Sequence, residues 1–272
     1  MSDTKQQAKS SRRQVLTAVG VSGAAFLAGC YASNGGSNSA GLVNKSAGLA
    51  KPVEPGTDNV LYLTFDDGPT PGYTNQILAH LKAAGAHATF FQVGERMVGS
   101  EALVNQILAE GHQIGTHSWS HPDFTGLGQP ARTLAQFGVE TQEQILRARD
   151  LQVACTGGYR SGLFRYPHFH RTNYGDLVLK QNGMIPVYAD VAPRDYDLNV
   201  SDITIINEVA TKVHGGSVVD LHDGSGAQPM QRPHPSYLPQ LLVLLKAAGY
   251  RFGTLNVNDL PAAAITVIRQ PE

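Results

Sequence analysis

The feature that most limits how this chain can fold is an alternation of short apolar runs with amphipathic segments, from Val60 to Leu255. Val60, Leu61, Tyr62 and Leu63 make an apolar run of strand length, and Gly68-Pro69 stops it. Ile77, Leu78, Leu81 and Ala84 then fall at helical spacing, and Gly85 closes that helix. The two steps recur. Strands are predicted over 88–93, 113–116, 162–165, 184–189, 217–221 and 251–255. Helices are predicted over 103–108, 134–151, 174–182, 203–214 and 237–248. This order predicts an α/β protein with a parallel sheet and outer helices. Closed on itself it is a distorted (β/α) barrel of TIM-like type, with reactive groups at the C-terminal ends of its strands.

Polar residues gather at those ends. Asp66 and Asp67 sit in Thr64-Phe65-Asp66-Asp67-Gly68-Pro69, where the first strand gives way to a loop. Taken alone, Asp-Asp-Gly-Pro reads as a solvated turn. His117-Ser118-Trp119-Ser120-His121-Pro122 follows the strand over 113–116. Two His four apart share one face if the segment is helical. Imidazole is a common ligand of divalent metals, and two His with one carboxylate leave positions open for water and substrate. Arg165 follows the strand over 162–165 and is either a solvated charge or a fork on a carboxylate. Asp190, Asp195 and Asp197 follow the strand over 184–189. His222 ends the strand over 217–221, and Asp220 is a charge inside that apolar run with no evident partner.

These motifs resemble the polysaccharide deacetylase family, also called the NodB-homology domain or carbohydrate esterase family four. Thr64 to Pro69 is similar to its first motif. Ala88-Thr89-Phe90-Phe91 with Val93-Gly94 resembles a framework strand. His117 to Pro122 resembles its His-Ser-x-x-His-Pro motif, Leu221-His222-Asp223 its last motif, and Gly249-Tyr250-Arg251-Phe252 its closing strand. The resemblance spans about residues 58–257. It implies a metal-dependent deacetylase with Asp67, His117 and His121 as metal ligands, zinc first and cobalt or nickel as alternatives. It implies Asp66 as general base, oriented and held ionised by Arg165, and His222 as general acid, kept protonated by Asp195. Asp190 remains the alternative support for His222. Pro167, His168, Tyr196 and Leu221 fall on the substrate side. Two positions depart from the family pattern: His168 stands where an aromatic residue is usual, and Tyr196 where Trp is usual. The implied substrate is an N- or O-acetylated polysaccharide of the envelope or the extracellular space. A C–N hydrolase on a small amide or cyclic imide, and a non-catalytic metal- or carbohydrate-binding relative, stand as alternatives.

The N-terminus reads as an address rather than part of the fold. Arg12-Arg13 opens an apolar run that ends at Leu27-Ala28-Gly29-Cys30. The run is shorter than the roughly 20 apolar residues that cross a bilayer. It resembles a twin-arginine export signal ending in a lipobox. The expected organisation is a signal peptide over 1–29, a lipid-anchored flexible linker over 30–57 and a catalytic domain over 58–272. Cys30 is the lipidated residue and attaches the protein to a membrane. Plain secretion is the alternative. Cleavage before Cys30 removes Lys5, Lys9, Arg12, Arg13 and Asp3, taking the net charge from -1 to -4. No basic patch is left to hold nucleic acid. Cys155 has no partner once Cys30 is lipidated, so no disulfide is expected. The chain is expected to act as a monomer.

Overall fold

Residues 59–126, 134–226 and 230–265 are described by a computed structural model. The expected signal segment, Cys30 and the linker lie outside the described residues. Among the described residues, no helix is long and apolar enough to cross a membrane.

Seven strands form one parallel sheet. They are β1 (Val60–Asp66), β2 (Thr89–Gln92), β3 (Gln113–Thr116), β4 (Leu163–Phe164), β5 (Ile185–Pro186), β6 (Val218–His222) and β7 (Arg251–Phe252). Their spatial order is β5-β4-β3-β2-β1-β6, and β7 pairs with the first residues of β1. Beyond β5 the chain returns to β6 through a parallel bridge between Val191 and Val219, which curls the sheet into a distorted barrel. Around it lie α1 (Tyr73–Ala84), α2 (Gly94–Met97), α3 (Glu101–Ala109), α4 (Leu134–Cys155), α5 (Asn173–Gln181), α6 (Asp202–Lys212), α7 (Tyr237–Ala247) and α8 (Ala262–Ile265). The alternation read from the sequence is the fold. Three short elements were not expected: α2, α8 and a 3-10 turn over Pro167–Phe169. The strand expected over 184–189 is only two residues long. Gly85 closes α1 in the left-handed conformation (φ 58°), returning its N–H to the carbonyls of Leu81 and Lys82.

Strand side chains alternate between the two faces of the sheet. From β1, Leu61, Leu63 and Phe65 pack outward with Phe90, Val219 and Leu221 against apolar residues of α1, α3, α6 and α7. This is the main core. Facing inward, Phe91, Leu163, Val187, Ala189, Val218, Leu255 and Ala264 fill the lower barrel. Above that plug the inward positions turn polar: Thr64 and Asp66 on β1, Asp220 and His222 on β6. One strand therefore builds the core with one face and the site with the other.

Candidate active site

The polar ends converge on one pocket of about 640 Å³, lined among others by Asp66, Asp67, His117, His121, Tyr166, His168, Tyr196, Asp220 and His222. Asp67 leaves β1 with a φ of 72°. That break in the strand lets two consecutive carboxylates reach one site. Gly68 is needed there, because a Cβ would sit 2.1 Å from Asp223. His117 and His121 lie in a loop rather than a helix, with φ values of 66° at Ser118 and 58° at His121. The loop still brings both rings to Asp67. His117 Nε2 is 3.3 Å and His121 Nε2 3.1 Å from Asp67 Oδ1. One ligand atom from each of the three residues lies within 4.8 Å of the others.

The donor set fits a divalent cation. Asp67 Oδ1 is buried and faces the two imidazole Nε2 atoms, while Oδ2 accepts from the Gly226 N–H at 2.6 Å. His117 turns its Nδ1 to the Arg165 carbonyl at 2.8 Å, which leaves Nε2 for the site. Burial raises the Asp67 carboxyl, but hydrogen bonds from His117 and His121 outweigh it and hold the group well below its usual range.

Asp66 stands beside this set, its Oδ2 3.6 Å from His117 Nε2. Its Oδ1 accepts from Arg165 Nη1 at 2.7 Å. Arg165 is fully buried and lies over the Phe91 ring, 4.2 Å from its centroid. The same Nη1 donates to Thr64 Oγ1 at 2.6 Å and to Asp220 Oδ1 at 3.1 Å. Arg165 thus contacts the Asp66 carboxyl directly. Burial outweighs its charge, however, and the Asp66 carboxyl stands above its usual range rather than below it.

Across the pocket, His222 Nδ1 bonds Asp195 Oδ1 at 2.8 Å, and the His222 N–H donates to Asp195 Oδ2 at 2.9 Å. Tyr237 adds its hydroxyl to that oxygen at 2.6 Å. Burial pushes the imidazole down, but Asp220 and Asp195 pull it well above its usual value. Asp190 is elsewhere. It accepts from the Ser217 hydroxyl and the Val218 N–H, and its Oδ2 lies 3.3 Å from His214 Nε2. Asp197 caps its own turn by accepting from the Asn199 N–H.

The substrate-side residues divide. Tyr196 is 42% exposed, and its ring lies 4.7 Å from that of His222. His168, with a φ of 56°, places its ring 4.6 Å from that of His121. Pro167 is buried at the start of the 3-10 turn, and its neighbours Tyr166, His168 and Phe169 line the pocket instead. Leu221 points the other way. It is fully buried in the outer core, because strand alternation gives the inward positions to Asp220 and His222. The sequence motifs carry no role for Asp220, Thr64 or Tyr237, and of the three only Asp220 stands out in the sequence, as a charge in an apolar strand.

A sequence model described as polysaccharide deacetylase matches residues 54–187. The peptidoglycan-N-acetylmuramic acid deacetylase PdaC of Bacillus subtilis is 33% identical over 205 residues, covering 75% of this chain and 39% of PdaC. The chain therefore spans less than half of that relative. A chitooligosaccharide deacetylase of Rhizobium leguminosarum bv. phaseoli is 34% identical over 177 residues, covering 63% of this chain and 71% of the relative. A family 4 acetyl xylan esterase from Clostridium thermocellum, solved in complex with a cobalt ion, is similar with a TM-score of 0.60 and 25% identity. It covers 72% of this chain and 87% of the esterase. Fold, site and sequence agree: this chain belongs to the polysaccharide deacetylase family.

Proposed function

We propose that the protein hydrolyses N-acetyl groups on an acetylated cell-envelope or extracellular glycan, with Asp66 as base and His222 as acid. The observation that carries this reading is the placement of Asp66 and His222 side by side in register on β1 and β6, next to the cluster of Asp67, His117 and His121. Those three residues would hold a divalent cation, with zinc the first choice. When bound, such an ion polarises a carbonyl and makes water more acidic.

The chain's own groups do the rest. Asp66 takes a proton from the attacking water, and its carboxyl, raised by burial, is the better proton acceptor for it. Arg165 fixes the direction of that carboxylate. His222, held protonated by the charges of Asp220 and Asp195 and oriented by its bond to Asp195, gives its proton to the leaving nitrogen. The C–N bond breaks, and acetate and a free amine leave. Tyr196 stands over His222 at the mouth as a wall for a sugar ring. The same arrangement serves an O-acetyl ester with an alcohol as leaving group.

Export as a lipoprotein anchored at Cys30, followed by a linker and a catalytic domain over 58–272, belongs to the same reading. The envelope is where such polymers lie, and the peptidoglycan relative is named for a wall polymer. The protein is expected to work as a monomer. The test is acetate release from a panel of acetylated peptidoglycan, chitooligosaccharides and xylan, with and without chelator. Release that stops with chelator and returns with added metal is expected. Release from none of them would overturn the proposal.

A further inference from the structure

One buried carboxylate carries no proton in that reaction, although its charge helps keep His222 protonated. Asp220 lies in β6 two residues before His222, on the same inward face. In the pairing of β1 with β6, Asp66 stands beside His222 and Thr64 beside Asp220. Asp220 is therefore the layer directly beneath base and acid. Its Oδ1 accepts from Arg165 Nη1 at 3.1 Å. Among the described residues this Arg165 contact is its one side-chain hydrogen bond, which leaves Oδ2 for a ligand in the pocket that Asp220 lines. The side chain keeps 6% exposure and lines the pocket, whereas Arg165 beneath it has none.

Among the described residues that line the pocket, Arg194 and Tyr196 are exposed, and a polymer would enter on that side. An amide held between Asp66 and His222 keeps its sugar on the solvent side. The acyl substituent is then the one part small enough to point down the barrel, and the floor it meets is Asp220. A methyl group there would cover an unpaired carboxylate oxygen, which is unfavourable in a buried place. A hydroxymethyl group in the same position donates a hydrogen bond to it.

We infer that this pocket favours an acyl group that carries its own hydroxyl, the hydroxyacetyl (glycolyl) amide of an amino sugar, and that Asp220 selects it. This rests on the deacylase reading above and narrows its substrate. The reaction is the same hydrolysis. Water adds its oxygen to the acyl carbon, the C–N bond breaks, the nitrogen leaves with a proton as the amine, and glycolate replaces acetate as the product.

The test compares N-acetyl and N-glycolyl chitooligosaccharides with the metal-loaded enzyme, measuring kcat/KM for each. Wild type is expected to favour the glycolyl substrate by about tenfold or more, and Asp220→Leu to lose that preference. Asp220→Asn keeps an acceptor oxygen and should keep part of it. No preference in wild type, or the same preference in folded Asp220→Leu, overturns the inference and leaves the deacylase reading standing. Release of neither acid by wild type overturns both. Should Asp220→Leu fail to fold, calorimetric titration of wild type with glycolate and acetate decides. Glycolate binding no tighter than acetate overturns the inference.

Discussion

At the scale of single residues, the site works by setting neighbouring groups to opposite protonation states. Asp66 and Asp67 are adjacent in sequence and both buried, yet their carboxyls move in opposite directions. Asp67 is held down by two imidazoles, while Asp66 is raised by burial against the pull of one shared guanidinium. Asp66→Asn should remove nearly all turnover and leave the metal content near wild type, since Asp66 is not one of the three clustered ligands. Acetate release and metal analysis on the same sample check this, and a variant that keeps activity would remove Asp66 from its role. The basic side of the pH dependence belongs to His222. Its pKa is raised in the fold, so it stays protonated above the usual imidazole value, and activity falls only as pH rises through the raised value. Asp195→Asn removes a charge that holds the proton. The basic limb of the kcat profile should move to lower pH, and an unmoved limb would count against Asp195 as its support.

At the scale of elements, the loop between the two metal-side histidines is shaped by a helix. Gln144 of α4 accepts from the N–H groups of Trp119 and Ser120 at 3.0 and 2.9 Å, and its amide donates to Ser120 Oγ at 2.9 Å. The His121 N–H also bonds Ser118 Oγ at 3.0 Å. Gln144→Ala should weaken metal binding by about 10- to 100-fold, in line with the loss of outer groups that orient ligands, with little change in helix content. Metal titration against a competing chelator reads this directly. The acid has a similar brace. Arg232 donates to the carbonyls of Asp195, Asp197 and Val200 at 2.9, 3.2 and 2.7 Å and pairs with Asp202 at 2.9 Å, clamping the loop that carries Asp195. Neither brace has a sequence signal. A Gln on a helix and an Arg in a Pro-rich segment look like solvated residues until the fold brings them to a loop.

At the scale of the molecule, Asp66, Asp67, Asp195, Asp220 and Asp223 are buried, and among the described residues the one buried guanidinium is that of Arg165. Burial raises both Asp220 and Asp223 to about 7. Folded carboxyls raised above their unfolded value of 3.8 bind protons the unfolded chain has released. The metal-free protein should therefore lose this share of its stability as pH rises from about 4 to about 7. Asp220→Asn should flatten that slope, on the order of 4 kcal/mol at neutral pH, as read by denaturant melts across pH. A slope identical in the two proteins would mean Asp220 ionises freely. Added metal should stabilise the fold by mass action, by about 2.7 kcal/mol at a hundredfold excess over Kd, read as a higher melting temperature. Asp67→Ala should abolish that gain.

The local order of residues was enough to determine the strand and helix sequence, the parallel sheet, and the Asp, His and Arg side chains that meet at its ends. Apolar spacing and Gly or Pro stops act over a few residues, so they are visible in the chain itself. What only the tertiary structure decided was the company each polar group keeps. Asp195 and not Asp190 reaches His222, Leu221 faces the core, and Asp220 faces the pocket. The physical reason is that strand register and burial are properties of pairs of segments. A slip of one residue exchanges the two faces of a strand, and a charge has its proton affinity set by neighbours that lie up to about a hundred residues or more away along the chain.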